Sequence, residues 1–227
     1  MLHELGNLPW INIHTHHKPI GHDEWIIRNA YLSSPKSMLP EGYFFSCGIH
    51  PWFAAQHDLS KSLAQLERSL ANLQCLALGE SGLDRIHGPD FKVQQRIFDA
   101  QIYLAAQYKK PLIIHSVKAH TELISMLHQF NHPVLIHGFN GAEKSLLSFL
   151  NKGFRISLGH RFFNNPVARL SVSKIPIDML YFETDTLVGP VSEVYESYAR
   201  LVQVDLNALR QQIWTNFTRD FNTDYGT

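Results

Sequence analysis

The chain is poor in cysteine: Cys47 and Cys75 are the only two among 227 residues. Two cannot form a disulfide framework, and each sits in an apolar run that reads as a buried strand, so a reducing cytoplasm is the expected compartment. No run of apolar residues is long enough to span a bilayer, and Met1 to Trp10 lacks a basic stretch leading into an apolar core. Membrane insertion and secretion are therefore not expected, and no obligate protein partner is indicated. An excess of one charge is also missing, because Lys plus Arg and Asp plus Glu stand at 20 each. Without a broad positive field, a role in packaging or scanning DNA non-specifically is disfavoured. Repeats, low-complexity tracts and interdomain linkers are absent as well. A single domain over 1–227 is expected, at a length that supports one sizeable core.

What the chain does have is histidine, with 14 copies. Imidazole is both the commonest metal ligand and an acid/base group near neutral pH, so placement decides the role. Short apolar runs alternate with segments of helical period, the pattern of βα units around a parallel sheet. Eight strands are predicted: Trp10–Thr15, Trp25–Tyr31, Tyr43–Gly48, Leu76–Gly79, Leu112–Ile114, Val134–Ile136, Arg155–Leu158 and Leu180–Thr184. Between them run amphipathic helices, with Leu63, Leu66, Leu70 and Leu73 on one face, and Leu206, Leu209, Ile213 and Phe217 on another. Lys18 to Asp23 is too short for a crossover helix, and Ser33 to Gly42 is broken by Pro35 and Pro40. The expected fold is an α/β (β/α)8 TIM-type barrel with an abbreviated first crossover.

Polar residues recur where the apolar strands stop. Alternation puts Asn12, His14 and His16 on one side of the first strand, and later strands run into Glu80, His115, His137 and Glu183-Thr184-Asp185. Parity places each group on the inward row of its strand, at the C-terminal end where parallel barrels build their sites. Converging imidazoles and carboxylates are costly to bury unless something satisfies them, and a divalent cation does so directly. A hydrogen-bonded polar plug without metal is the competing arrangement. His50 and His160 follow strands within Gly48-Ile49-His50-Pro51 and Gly159-His160-Arg161, from where they could reach a substrate phosphate at the rim or simply brace a loop. His3, His17, His22, His57, His87, His120, His128 and His132 are expected at the surface. Trp52, Phe53, Phe162 and Phe163 are expected as core or loop anchors rather than base-stacking platforms.

With these motifs in order, the chain resembles the TatD-type metal-dependent deoxyribonuclease family of amidohydrolase-like barrels. The resemblance rests on His14 and His16, Gly48-Ile49-His50-Pro51, Ala77-Leu78-Gly79-Glu80-Ser81-Gly82-Leu83-Asp84, Gln95-Arg96-Ile97-Phe98 leading to Pro111-Leu112-Ile113-Ile114-His115, Ile136-His137-Gly138-Phe139-Asn140-Gly141, Glu183-Thr184-Asp185 and Asn216-Phe217-Thr218-Arg219-Asp220-Phe221. It implies one metal held by His14, His16, Glu80 and Asp185 and a second held by Glu80, His115 and His137, with Glu80 bridging. Two such ions, ~3.5–4 Å apart, would hold the attacking and leaving oxygens of a phosphodiester. Asp185 is implied as general base, with Glu80 as its catalytic partner at the bridge. Glu183 and Asp84 look like groups that orient ligands, and a plain salt bridge is the other reading of Asp84. One or two divalent ions are expected. The donor set suits zinc or manganese better than magnesium.

The chain departs from the family pattern in four places. Asn12 stands where an aspartate is usual, and the segment from His16 to Gly48 is short. Ser116-Val117 follows His115 without the arginine often found two residues on. Thr186-Leu187-Val188-Gly189-Pro190 runs straight into a helix without a basic loop. The last two remove charge that would face a nucleic-acid backbone, leaving Lys118 and Arg161 as candidate cations. DNA or a small phosphoester is the expected substrate. A C–N or ester hydrolase using the same water is the alternative, and a non-catalytic barrel that merely retains metal is a third.

Overall fold

The computed structural model describes residues 8–20, 23–32, 38–56 and 58–222. His3, His22, His57 and Pro35 lie outside the described residues. Eight strands form one sheet in sequence order: β1 Trp10–Thr15, β2 Glu24–Asn29, β3 Tyr43–Cys47, β4 Cys75–Asp84, β5 Leu112–Val117, β6 Val134–Ile136, β7 Arg155–Leu158 and β8 Leu180–Phe182. Every neighbouring pair is parallel, and an isolated parallel bridge between Thr15 and Asp185 ties the segment after β8 back to the end of β1. This is the expected eight-stranded barrel. Its strands are buried on both faces, so they read as near-continuous apolar runs such as Leu112-Ile113-Ile114, all fully buried.

Helices cover the outside: α1 Leu59–Leu70, α2 Phe91–Gln107, α3 His120–Met126, α4 Glu143–Leu150, α5 His160–Phe163, α6 Pro166–Arg169, α7 Ser192–Val202 and α8 Leu206–Phe221. Among the described residues no helix separates β1 from β2 or β2 from β3, which is the abbreviated crossover read from the sequence. Three long helices start where an aspartate accepts an otherwise unpaired amide: Asp58 from Lys61, Asp90 from Lys92 and Asp205 from Ala208. Leu66 and Leu70 of α1 pack inward as expected, but Leu73 lies beyond the helix end and is exposed. No helix among the described residues is long and apolar enough to cross a membrane.

The largest departure from the predicted strands is β4. It does not stop at Gly79 but runs on to Asp84, with a register shift against β5 between Leu78 and Ser81. The extension depends on Gly82, whose φ is +129° and where a Cβ would sit 2.2 Å from the carbonyl oxygen of His115. Only glycine fits so close to the neighbouring strand. The extra pairing, Gly82 with His115 and Asp84 with Val117, carries Asp84 into the barrel mouth.

Candidate metal centre

Closure of the barrel assembles one side of the site. The amide of Asp185 donates to the His14 carbonyl (3.1 Å), and the amide of His16 donates to the Asp185 carbonyl (3.0 Å). Two backbone bonds thus lock three side chains from opposite ends of the chain around one point. His16 Nε2 lies 3.5 Å from Asp185 Oδ1 and 3.6 Å from Glu80 Oε2, and His14 Nε2 lies 3.5 Å from Glu80 Oε2. The second side forms around the other Glu80 oxygen. His137 Nε2, His50 Nε2 and His115 Nδ1 approach Oε1 at 2.9, 3.0 and 3.0 Å. Glu80 therefore presents one oxygen to each of two sets of imidazoles.

Electrostatics follows from that crowding. Burial alone would raise the Glu80 pKa, but the His137 charge and hydrogen bonds from His115 and His137 hold it well below the usual carboxylate range. Burial would lower His137, yet Glu80 and Glu183 raise it well above the ordinary histidine value. His115 is raised despite its burial, through Asp84 and Glu80. In His50 burial wins and the ring is pushed down, only partly offset by Glu80.

Three observations fit this donor set to a divalent cation. His14 is fully buried, and among the described residues neither of its ring nitrogens has a hydrogen-bond partner. Such an orphaned ring is unfavourable unless an ion takes the Nε2 lone pair. The separations of 3.5 to 3.9 Å around Glu80 Oε2 and Asp185 Oδ1 are too long for hydrogen bonds but suit ligands of a common ion. The donors also cluster in three triads, His14 with Glu80 and His137, His14 with His16 and Asp185, and His50 with Glu80 and His115, each within 4.8 Å.

Outer partners orient several ligands. His115 Nε2 faces Asp84 Oδ2 at 3.1 Å and His137 Nδ1 faces Glu183 Oε1 at 3.3 Å. Among the described residues Asp84 makes no salt bridge to a Lys or Arg. It accepts from Trp52 Nε1 at 2.6 Å and from the amides of Ile86 and His87. Burial would raise its pKa, but the bonds from His115, Trp52 and these amides hold it far below the usual value. Asn12, in place of an aspartate, donates to Glu24 Oε1 at 2.7 Å and Thr184 Oγ1 at 2.9 Å. A carboxylate there would repel buried Glu24, whereas the Asn12 amide satisfies it.

The structure also contributes residues that the sequence reading passed over. Asn29, at the end of β2, donates to Glu80 Oε2 at 3.0 Å, and the Tyr31 hydroxyl lies 3.1 Å from His16 Nδ1. Asn29 ends an apolar strand just as Glu80 and His115 end or follow theirs, so the same signal could have found it. Two buried glutamines of α2, seven residues apart, hold site segments by their backbones. Gln101 pairs with both amide and carbonyl of Ile49, and Gln94 pairs with both of Asp84.

A cavity of about 720 Å³ opens over the centre. Of the three expected substrate contacts, exposed Arg161 lines it, while His50 sits deeper than a rim position, against Glu80. His160 is not among the lining residues, and its Nε2 is buried. Lys118 is exposed but does not line it either. His17 and His87, expected at the surface, do line it, as do the expected anchors Trp52 and Phe53, whereas Phe162 is core.

The profile of the family described as TatD related DNase matches residues 29–222. An uncharacterized metal-dependent hydrolase of Haemophilus influenzae is 30% identical over 172 residues, 70% of this chain and 65% of that protein, just under two thirds of its length. The Escherichia coli K12 uncharacterized metal-dependent hydrolase YcfH is 31% identical over 199 residues, 79% of this chain and 74% of that protein. Among solved structures, the E. coli TatD homologue YjjV superposes with a TM-score of 0.80 at 24% identity, covering 97% of this chain and 100% of that one, which shows the fold. With the profile spanning most of the chain, the protein belongs to the TatD-related DNase family.

Proposed function

We propose that this protein is a metal-dependent hydrolase that cleaves phosphoesters, with DNA ends or short single strands as first candidates. The observation that carries this reading is Glu80, whose two oxygens face separate imidazole sets beside Asp185 at the floor of an open cavity. His14, His16, Glu80 and Asp185 would hold one divalent ion, and Glu80 with His50, His115 and His137 a second. When bound, such ions polarise water and offset the charge of phosphoryl oxygens. The Asp185 side chain is 21% exposed at the cavity wall, so its carboxylate can take a proton from water as the water oxygen bonds to phosphorus. The ester oxygen then leaves with the electron pair of the broken P–O bond. Arg161, at the rim, supplies positive charge to the phosphate. Cys47 and Cys75, hydrogen-bonded through their sulfurs at 3.5 Å as free thiols, suit a reducing compartment such as the cytoplasm.

A second reading, a C–N or ester hydrolase, draws on the cavity walls. Trp52, Phe53, Ile86 and Val117 line them, and Arg161 is the one Lys or Arg lining residue among those described. That suits an uncharged group better than an extended polyanion.

Elemental analysis of the purified protein, with Asp185→Asn and wild type assayed against bis(p-nitrophenyl) phosphate and single-stranded DNA in manganese or magnesium, tests the proposal. Bound metal, with cleavage by wild type and a loss in the variant of more than about a hundredfold, is the expected result. Metal without phosphoester cleavage would turn attention to carbonyl substrates. No metal under any loading condition would overturn both readings.

A further inference from the structure

The end of β2 carries more than a structural turn. Tyr31 has a φ of 51°, a left-handed conformation unusual for a bulky residue and kept only where surroundings impose it. Those surroundings are specific. Its amide donates to Asn29 Oδ1 (3.1 Å), its carbonyl accepts from the amide of Gly48 (3.0 Å), and its hydroxyl lies 3.1 Å from His16 Nδ1. Asn29 in turn donates from Nδ2 to Glu80 Oε2 at 3.0 Å. A continuous chain of contacts therefore runs from Glu80 through Asn29 and Tyr31 to His16, tying together two residues that share the first metal position.

We propose that Tyr31 is a positioning residue for His16 that also presents a hydroxyl proton to substrate; this rests on the metal-dependent reading of the site. The direction of the hydrogen bond follows from the ring. His16 Nε2 is the nitrogen that faces Glu80 and Asp185, so coordination there requires its lone pair, and the neutral ring then carries its proton on Nδ1. Nδ1–H donates and the phenol oxygen accepts. The phenol keeps its own O–H, and Tyr31 lines the cavity, so that proton is available to an oxygen of the bound substrate. His115 and His137 use carboxylates, Asp84 and Glu183, for the same outer contact. At His16 a neutral phenol holds the ring without adding a third negative charge beside Glu80 and Asp185.

Tyr31→Phe tests this, because it keeps the ring and removes one oxygen. Zinc affinity, measured by competition with a chromophoric chelator, should fall about tenfold, within the range for lost outer partners. In the zinc-loaded protein labelled with 15N-histidine, the His16 Nδ1 proton should exchange slowly in wild type and rapidly in the variant. KM for bis(p-nitrophenyl) phosphate should rise several-fold. Equal zinc affinity together with an unchanged His16 signal would overturn the positioning role, and an unchanged KM would overturn the donor role. Failure of the wild type to bind zinc at all would instead overturn the metal-dependent reading beneath the inference, so the two failures are told apart.

Discussion

At the N-terminal end of the barrel, buried Asp220 accepts from Arg155 at both oxygens, from Arg219, and from the Tyr181 hydroxyl. At the C-terminal mouth, buried Glu80 is surrounded by His14, His16, His50, His115 and His137, and among the described residues neither ring nitrogen of His14 has a hydrogen-bond partner. Both ends bury a carboxylate among cations or potential cations. One network is complete within the protein and the other leaves a buried imidazole without a partner among the described residues. A saturated network holds a fold together, whereas one left open is arranged for a ligand, which matches the division between the two faces of such barrels. The motif running from Asn216 to Phe221 illustrates the closed kind. Asn216 donates to the carbonyls of Ile177 and Leu180, and Asp220 gathers the arginines, so this segment braces α8 against β8 far from the chemistry.

The comparison breaks most sharply at Asp220. Replacing it with alanine strands Arg155, Arg219 and the Tyr181 hydroxyl, and should lower unfolding stability by roughly 3 kcal/mol, the low end for a broken buried pair because both arginines keep some solvent contact. Urea denaturation of the metal-free protein measures this. Zinc affinity of the folded fraction should stay at the wild-type value. A variant that loses metal affinity while keeping its stability would show that the two ends are not separate devices.

Gln101 sharpens the boundary between the two. It is fully buried and satisfies both the amide and the carbonyl of Ile49, next to His50. Gln101→Met keeps the volume but leaves two buried backbone groups unpaired, each at about 1 kcal/mol, the low end of that cost. Here stability and metal affinity should fall together if His50 is a ligand, because the clamp holds the loop that carries it. Intact affinity for a second equivalent of zinc, with stability alone reduced, would place His50 outside the metal centre.

How far the site can be read from sequence follows the same divide. His14, His16, Glu80, His115, His137 and Asp185 were legible because each ends or follows an apolar run, where strand parity fixes which way a side chain faces. The barrel itself was legible because its strands read as distinct Val-, Ile- and Leu-rich segments. Tyr31, Gln94 and Gln101 are not picked out, because their roles depend on turns and on helix-to-loop contacts that no local period encodes, whereas Asn29 carries the same strand-end signal as the ligands and is simply passed over. The depth of His50 is of this kind, since Gln101, 52 residues from Ile49, sets it. The continuation of β4 lies beyond the predicted strand Leu76–Gly79, because it depends on Gly82 letting β5 come close, a tertiary contact that no local period encodes.

Acid should expose the closed network and leave the comparison clean. Burial pushes the Asp220 pKa up, but the hydrogen bonds from Arg219 and Arg155 outweigh it and hold the folded value below that of a free aspartate, about 3.9. A carboxylate depressed on folding contributes stability that is fully present above the unfolded pKa and disappears as pH falls through the folded one. Wild type should therefore exceed Asp220→Asn by a constant margin from about pH 7 down to about pH 5, and that margin should shrink below about pH 4. The mouth is the same in both proteins and lies at the other end of the barrel, so titration of its histidines cancels in the difference. Urea midpoints taken at several pH values, with chelator present, give the margin directly. A margin that instead changes between pH 5 and 7, where imidazoles titrate, would mean that Asp220 is coupled to the mouth and that the two networks act as one.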